Sequence, residues 1–337
     1  MTSKPRIFVF SIIPKLGDII QQMLPQENIK IVKFQAEMSQ KYGHVISEEE
    51  INQLKEAEVL LADSNAFVQF ADRLPHLKWF QSTWAGVEGL MQHFQHKKAP
   101  PYFMSRLASD SFSQLMSEYV VGQIIAHERG WGEAASKQAN CVWYHSGRVA
   151  TYRSLRDITV ALLGFGQIGQ EIGRALKSFK CHVLAYSLTA HSPTGLHQCA
   201  DAHYHGDSLA TVMSESDYIV SCLPSTPLTA GLLSAAILQH AKNGSVLINI
   251  GRGNVVSEDD LLAALDAGPL AGAVLDVFQE EPLLPSSLLW THPKVVVTPH
   301  CAGVSRASDV AKAFVQNYGR FAAGEKPQFL LDFYRGY

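Results

Sequence analysis

The 337-residue sequence predicts an α/β protein built on two parallel sheets, each covered by helices. Three observations point there. Short apolar runs alternate with polar, helix-compatible segments twice over, first from Ile7 and again from Asp157. Ile158 to Leu163 is a near-continuous apolar run, as expected of a strand covered on both faces. The chain is also too long for one ordinary core, since domains usually hold on the order of 100–200 residues.

The first alternation has strands at Ile7–Phe10, Ile29–Val32, Glu58–Leu61 and Trp79–Ser82, with a helical segment from Ser47 through Ala57. A long helix is expected to begin near Ser111, which with Gln114 fits a capping box. Its Phe112, Leu115, Met116, Tyr119, Val120 and Ile124 recur at helical spacing and are expected to pack against protein. The second alternation predicts strands at Ile158–Leu163, Val183–Tyr186, Tyr218–Cys222, Val246–Ile250, Ala273–Val277 and Val295–Val297. Ser257 is placed to cap a helix carrying Leu261, Leu262 and Leu265, which Gly268 ends. A last helix near Arg306 to Phe321 is expected to return to the first domain. That domain then comprises 1–108 and 298–337, and the second 109–297.

Composition narrows the partners. With 47% hydrophobic and 18% charged residues the chain has the balance of a folded protein. Its net charge of −3, without a basic block, disfavours nucleic acid. No apolar run reaches the roughly 20 residues of a membrane span. The run from Ile7 to Ile13 lacks a small-residue cleavage site and reads as a strand rather than a signal peptide. Five cysteines, Cys141, Cys181, Cys199, Cys222 and Cys301, form no CxxC; reduced thiols and a cytoplasmic location are expected.

Gly164-Phe165-Gly166-Gln167-Ile168-Gly169 is G-x-G-x-x-G, a weak pattern alone. Here it follows a buried strand and opens an amphipathic helix with Ile168, Ile172, Ala175, Leu176 and Phe179 on one face. Each glycine has its own reason: Gly164 for the tight turn, Gly166 for the approach of a pyrophosphate, Gly169 for helix–strand packing. The phosphates then meet free N–H groups at a helix N-terminus. An acid about 20 residues on usually bonds the ribose of NAD. This chain has Tyr186-Ser187-Leu188-Thr189-Ala190-His191 there, with neither acid nor Arg or Lys. Ser187, Thr189 and His191 are the candidates for that position. The cofactor is read as NADP or NAD, with a lean to NADP.

Three later segments place polar residues at strand C-termini, the edge where open parallel sheets bind ligands. They are Asn249-Ile250-Gly251-Arg252-Gly253, Asp276 through Glu281-Pro282, and Thr298-Pro299-His300. Each has a plainer alternative: Arg252 in a surface ion pair, Glu281 a solvated loop acid with Glu280 beside it, His300 a core histidine. His203 and His205 form an H-x-H without a third ligand, which reads as a polar pair at a sheet edge rather than a metal site. Cys301 adjoins His300 with nothing to mark it as a nucleophile. Trp84 and Trp290 either line the site or pack.

Taken together, these motifs resemble the D-isomer-specific 2-hydroxyacid dehydrogenase family, and within it the glyoxylate/hydroxypyruvate reductase A-type members. The resemblance runs from Trp84-Ala85-Gly86-Val87 to Arg335-Gly336-Tyr337. It includes Leu223-Pro224 with Thr226 and Thr229, and Leu275 through Leu283. It implies two Rossmann-like parallel-sheet domains: a nucleotide-binding domain, and a flavodoxin-like substrate domain discontinuous in sequence. It also implies reduction of a short 2-keto acid to the D-2-hydroxy acid, with a homodimer formed through the nucleotide domain. His300 would deliver the proton, its imidazole being of the type that titrates near neutrality. Glu281 would hold the imidazole, and Arg252 would pair with the substrate carboxylate and polarise the C2 carbonyl. Asp276 would bond the nicotinamide carboxamide. Leu223, Pro224, Thr229, Ile250 and Gly251 would lie along the dinucleotide. Backbone N–H groups of Ala85, Gly86 and Val87, with Trp84, would meet the substrate. The family's phosphate-binding arginines are missing after Ser187. The alternative is an NAD(H)-binding corepressor-type scaffold with little turnover, disfavoured because such proteins carry extended tails.

Overall fold

The computed structural model describes residues 4–34, 44–97, 99–188, 198–334 and 336. The chain divides into two compact units, Met1–Ser109 with Ser305–Tyr337, and Asp110–Val304.

The first unit holds a sheet of β1 (Ile7–Phe10), β2 (Ile29–Ile31), β3 (Val59–Ala62), β4 (Trp79–Ser82) and β5 (Phe103–Ser105), in the order β2-β1-β3-β4-β5. Every pairing is parallel. β1, β3 and β4 are buried at all four positions; β1 and β3 read as unbroken apolar runs, whereas β4 also buries the polar Gln81 and Ser82. β5 follows Pro100-Pro101 and is only three residues long, too short to stand out in the sequence. Ser47 caps the helix Glu48–Leu54 in a full capping box with Glu50. The last helix, Ala307–Ala322, packs in this unit: Phe314 stacks on Trp79 with centroids 5.3 Å apart, and Asn317 donates to the buried Gln81 at 2.9 Å. Such a stack contributes about 0.5–1.5 kcal/mol beyond the burial of its rings.

The second unit holds β6 (Thr159–Leu163), β7 (His182–Ser187), β8 (Ala202–His205), β9 (Tyr218–Ser221), β10 (Ser245–Asn249), β11 (Leu270–Leu275) and β12 (Val295–Val297). Their order is β12-β11-β10-β9-β6-β7-β8, again all parallel. β8 carries His203 and His205, which the sequence places as a polar pair at a sheet edge without giving the strand its bounds. It forms one edge of the sheet, where half-exposed polar side chains are tolerated. β11 starts three residues before the expected Ala273, because Ala271-Gly272 hides its apolar pattern.

Two expectations need correction. The long helix spans Asp110–Glu128, so Ser111 lies in its first turn and is not its cap; the acid at Asp110 suits the first turn through the helix dipole. The second unit runs to Val304 rather than stopping at 297. Asp276 accepts from the N–H groups of Cys301 and Ala302, both at 2.9 Å, and so ties this turn to β11. Ser257 does cap the helix Glu258–Asp266, accepting from Asp260 N–H at 3.1 Å.

Candidate active site

Because β10, β11 and β12 are adjacent and parallel, their C-terminal ends open onto one edge, and the three polar segments meet there. After β10, the buried Asn249 shapes the turn. Its carboxamide oxygen accepts from Gly251 N–H at 3.2 Å, and its amide donates to Arg252 O at 3.0 Å. Gly253 has no room for a Cβ, which would collide with the Phe278 backbone. The half-buried Arg252 donates to Gly251 O at 2.7 Å, and its charge acts on Glu281.

After β11, Glu281 faces His300. His300 Nδ1 and Glu281 Oε2 lie 2.7 Å apart, while Glu281 Oε1 accepts from Phe278 N–H at 3.0 Å. Burial pushes the Glu281 carboxyl upward. The hydrogen bonds from His300 and Phe278, with the charges of His300 and Arg252, outweigh this and hold it below the usual carboxylate range. Glu280 is exposed, so the choice between the two acids falls on Glu281.

After β12, His300 takes a positive φ of 50°, sparsely populated by residues with a side chain. Its N–H donates to Asp276 O at 2.9 Å. Asp276, 1% exposed, directs its carboxylate at the same turn: Thr298 Oγ1 donates to Oδ1 at 2.6 Å beside Cys301 N–H, and Ala302 N–H donates to Oδ2. Since Thr298 spends its proton on Asp276, the Tyr119 hydroxyl donates to Thr298, at 2.7 Å. Burial pushes Tyr119 up to about 12, so that donor stays protonated. Tyr119 was expected only to pack; its hydroxyl anchors the His300 turn to the long helix. A buried tyrosine that needs a partner was the available signal. Cys301 is exposed, and burial of its sulfur with the Asp276 charge raises its thiol, the wrong direction for a nucleophile.

The glycine loop follows β6. Gly164 has φ +96°, so the turn needs glycine. Gly169 has no space for a Cβ against Gly164 O. Gly166 is exposed with nothing within 4 Å of where a Cβ would stand, and it caps the helix Gln167–Ser178. Sequence reasoning missed Gly173, one turn further on, whose Cβ would strike Cys199 O. Gln167 bonds Asp110 at 3.0 Å, and Phe165 and Ile168 pack into the core. Leu223 and Ile250 are 3% exposed, and Gly251 sits so close to Leu223 that a Cβ would lie 2.6 Å from its carbonyl oxygen. Thr229 is buried. It donates to Pro224 O at 2.5 Å and accepts from Thr226 N–H at 2.9 Å, so it holds the Leu223–Pro224 loop rather than facing outward. Ser187 ends β7, bonded to His203 on β8 at 2.8 Å. Thr189 and His191 lie outside the described residues. Among the described residues no three His, Cys, Asp or Glu side chains group to hold a metal. Nor is any helix among them long and apolar enough to cross a membrane.

In the first unit, Trp84 lines a small pocket with Ile12, Asn65 and Val68. The N–H groups of Ala85, Gly86 and Val87, before the helix Glu88–Phe94, donate to no acceptor among the described residues. Trp290 is 51% exposed and donates to Leu284 O at 3.0 Å, bracing its own loop.

The open Gly166 position and the glycine-lined floor at Gly164 and Gly251 suit a dinucleotide lying across strand ends. Comparison with known proteins agrees. The family described as D-isomer specific 2-hydroxyacid dehydrogenase, NAD binding domain, matches residues 121–302. A D-isomer specific 2-hydroxyacid dehydrogenase family protein from Aeromonas salmonicida is 32% identical, with a TM-score of 0.82 over 98% of this chain and 100% of that one. A D-isomer specific 2-hydroxyacid dehydrogenase from Xanthobacter autotrophicus, solved with NADPH and MES, is 29% identical, with a TM-score of 0.83 over 99% and 100%. An NADPH-dependent glyoxylate/hydroxypyruvate reductase from Sinorhizobium meliloti, solved with NADP and sulfate, is 26% identical, with a TM-score of 0.80 over 99% and 100%. The strand-end convergence, the glycine loop and these likenesses together make this chain a member of the D-isomer specific 2-hydroxyacid dehydrogenase family, with an NAD-binding domain in its second unit.

Proposed function

We propose that the protein reduces a short 2-keto acid of the glyoxylate/hydroxypyruvate class to the D-2-hydroxy acid, reversibly, with NADPH preferred over NADH. The observation that carries this is the His300–Glu281 pair at 2.7 Å, beside Arg252, on the edge that also carries the glycine loop. The likeness to the Sinorhizobium meliloti reductase supports the substrate class.

The bound nicotinamide supplies the hydride equivalent for C2. The chain's own residues do the rest. Gly164–Gly169, Leu223, Pro224, Ile250 and Gly251 would hold the dinucleotide, with Ser187 toward its ribose. Arg252 pairs with the substrate carboxylate and draws electron density toward the C2 oxygen, where charge develops. His300 donates a proton through Nε2 to that oxygen, because Nδ1 is engaged with Glu281. Glu281, ionised and fixed by Phe278 N–H, sets the ring orientation through its contact with His300 Nδ1. Asp276 contributes by holding the His300 turn; one further lone-pair site remains for the carboxamide. The unpartnered N–H groups of Ala85, Gly86 and Val87 suit a carboxylate, which supports the first unit, Met1–Ser109 with Ser305–Tyr337, as the substrate domain.

Free cysteines are consistent with a cytoplasmic setting. A homodimer through the second unit is supported by the helix Trp131–Gln138, which buries no residue, and by Trp143, 95% exposed just beyond it. Initial rates with NADPH and NADH against glyoxylate, hydroxypyruvate, pyruvate, phenylpyruvate and 2-ketoisocaproate test the reading. The expected result is the highest kcat/KM for NADPH with glyoxylate or hydroxypyruvate. Background rates with every acid, despite cofactor binding, would instead favour the scaffold.

A further inference from the structure

We infer that Tyr119 is a positioning residue for His300: it is the middle of a one-way hydrogen-bond chain, from Gln123 to Asp276, that fixes the His300 turn, and proton delivery depends on it. This rests on the reading of His300 as the proton donor.

The His300 turn is hard to hold. A residue with a side chain avoids φ near 50°, and such a backbone persists only where its surroundings over-determine it. Pro299 has no N–H to offer, so the turn's donors are those of the next three residues. All three are directed at Asp276. His300 N–H reaches its carbonyl oxygen, Cys301 N–H its Oδ1 and Ala302 N–H its Oδ2, each at 2.9 Å. The place of the imidazole therefore follows the place of the Asp276 carboxylate. That carboxylate is steered in turn by Thr298 Oγ1, which donates to Oδ1 at 2.6 Å.

A hydroxyl has one proton and can turn it elsewhere. Thr298 also has the Cys301 thiol within reach, and a phenol can accept as well as donate. Gln123 favours one sense for the whole chain. It stands four residues beyond Tyr119, on the same face of the helix Asp110–Glu128. Its carboxamide carries protons only on nitrogen, so it donates to the phenol oxygen. The phenol proton then points to Thr298 Oγ1, 2.7 Å away, and the Thr298 proton to Asp276. The hydroxyl of Tyr119 is not what seats the helix. Met116, Val120 and Ile124 do that, at 6%, 0% and 0% exposure. Removing the hydroxyl leaves this packing in place and cuts the link to the turn. A proton donor must come within hydrogen-bond reach of the oxygen it protonates, so a loosened turn slows the proton step before it weakens cofactor binding.

Steady-state kinetics of the whole protein with NADPH and glyoxylate or hydroxypyruvate, in H2O and in D2O, test this. Tyr119→Phe should lower kcat by about three- to tenfold, the worth of one neutral hydrogen bond, with the KM for NADPH and the melting temperature near wild type. The solvent isotope effect on kcat should rise, because proton delivery becomes slower than the steps around it. Thr298→Val should lose at least as much, and Thr298→Ser, which keeps the hydroxyl, should retain most of the activity. The double variant Tyr119→Phe/Thr298→Val should be no worse than Thr298→Val alone, since both cut the same chain. Wild-type kcat in Tyr119→Phe would overturn the inference. So would losses that multiply in the double variant. A kcat loss matched by a lower melting temperature, with the isotope effect unchanged, would also overturn it and leave Tyr119 a packing residue. The parent reading is judged on the wild type: if that reduces no keto acid, the parent reading falls. If the wild type turns over and Tyr119→Phe equals it, only this inference falls.

Discussion

Two acid–cation clusters sit at opposite ends of the same sheet in the second unit, and they differ in the cation. At the C-terminal edge Glu281 is paired with His300, whose side chain is 37% exposed. At the N-terminal edge, near the starts of β6 and β9, Glu128 and Asp217 share Arg153. Arg153 donates to Glu128 at 2.6 Å and to Asp217 at 2.8 Å, with Lys242 also on Asp217 at 2.8 Å. Asp217 further accepts from Thr159 N–H, and Glu128 accepts from Tyr218, which in turn accepts from His127. Burial pushes Glu128 and Asp217 upward, and their hydrogen bonds and cation partners outweigh it, so both stay below the ordinary carboxylate range, as Glu281 does. The acids are thus alike. A guanidinium cannot release its proton near neutrality, so the Arg153 cluster can only tie the chain together. An imidazole can, so the His300 pair can move a proton as well as hold a shape. Chemistry here depends on the partner of the carboxylate, not on the carboxylate.

The largest contrast is expected from His300→Ala. Its kcat should fall by roughly 10²–10⁴, the usual worth of a positioned general acid, while NADPH affinity by fluorescence titration and the melting temperature stay near wild type. An active His300→Ala at neutral pH would dissolve the distinction between the two clusters. Next comes Glu128→Gln, which should lower unfolding free energy in urea by about 3 kcal/mol, because it unpairs a buried ionic contact, and should leave kcat unchanged well below the melt. A kcat loss without a stability loss would assign that edge a role in turnover instead.

The smallest effect concerns pH. His127 is held at about 4, first by burial and then by the Arg148 charge. The folded chain therefore binds fewer protons than the unfolded chain between about pH 6.5 and 4. Stability rises with pH through that window and is lost on acidification. The melting temperature should drop over this range, and His127→Gln should flatten part of the slope. An unchanged slope in the variant would shift the acid sensitivity onto Glu128 and Asp217 alone.

Much of this was legible in one dimension. Apolar runs are the mark of strands covered on both faces, and they marked β1, β3, β6, β9 and β10. The spacing of Gly164, Gly166 and Gly169 reflects a local backbone need, which sequence records directly. The short β5, the polar β8 and the glycine-interrupted β11 were hidden or blurred, because their places in the sheets are set by neighbours rather than by their own patterns.

The sequence alone determined the α/β class and the strand-end positions of Arg252, Glu281 and His300, since each follows from local pattern and order. Only the tertiary structure decided that Tyr119 anchors the His300 turn through Thr298 and Asp276, that the second unit reaches Val304, and that His203 meets Ser187. Those contacts join residues 179, 25 and 16 positions apart, and hydrogen bonds over such separations exist only after the sheet has set its strand order.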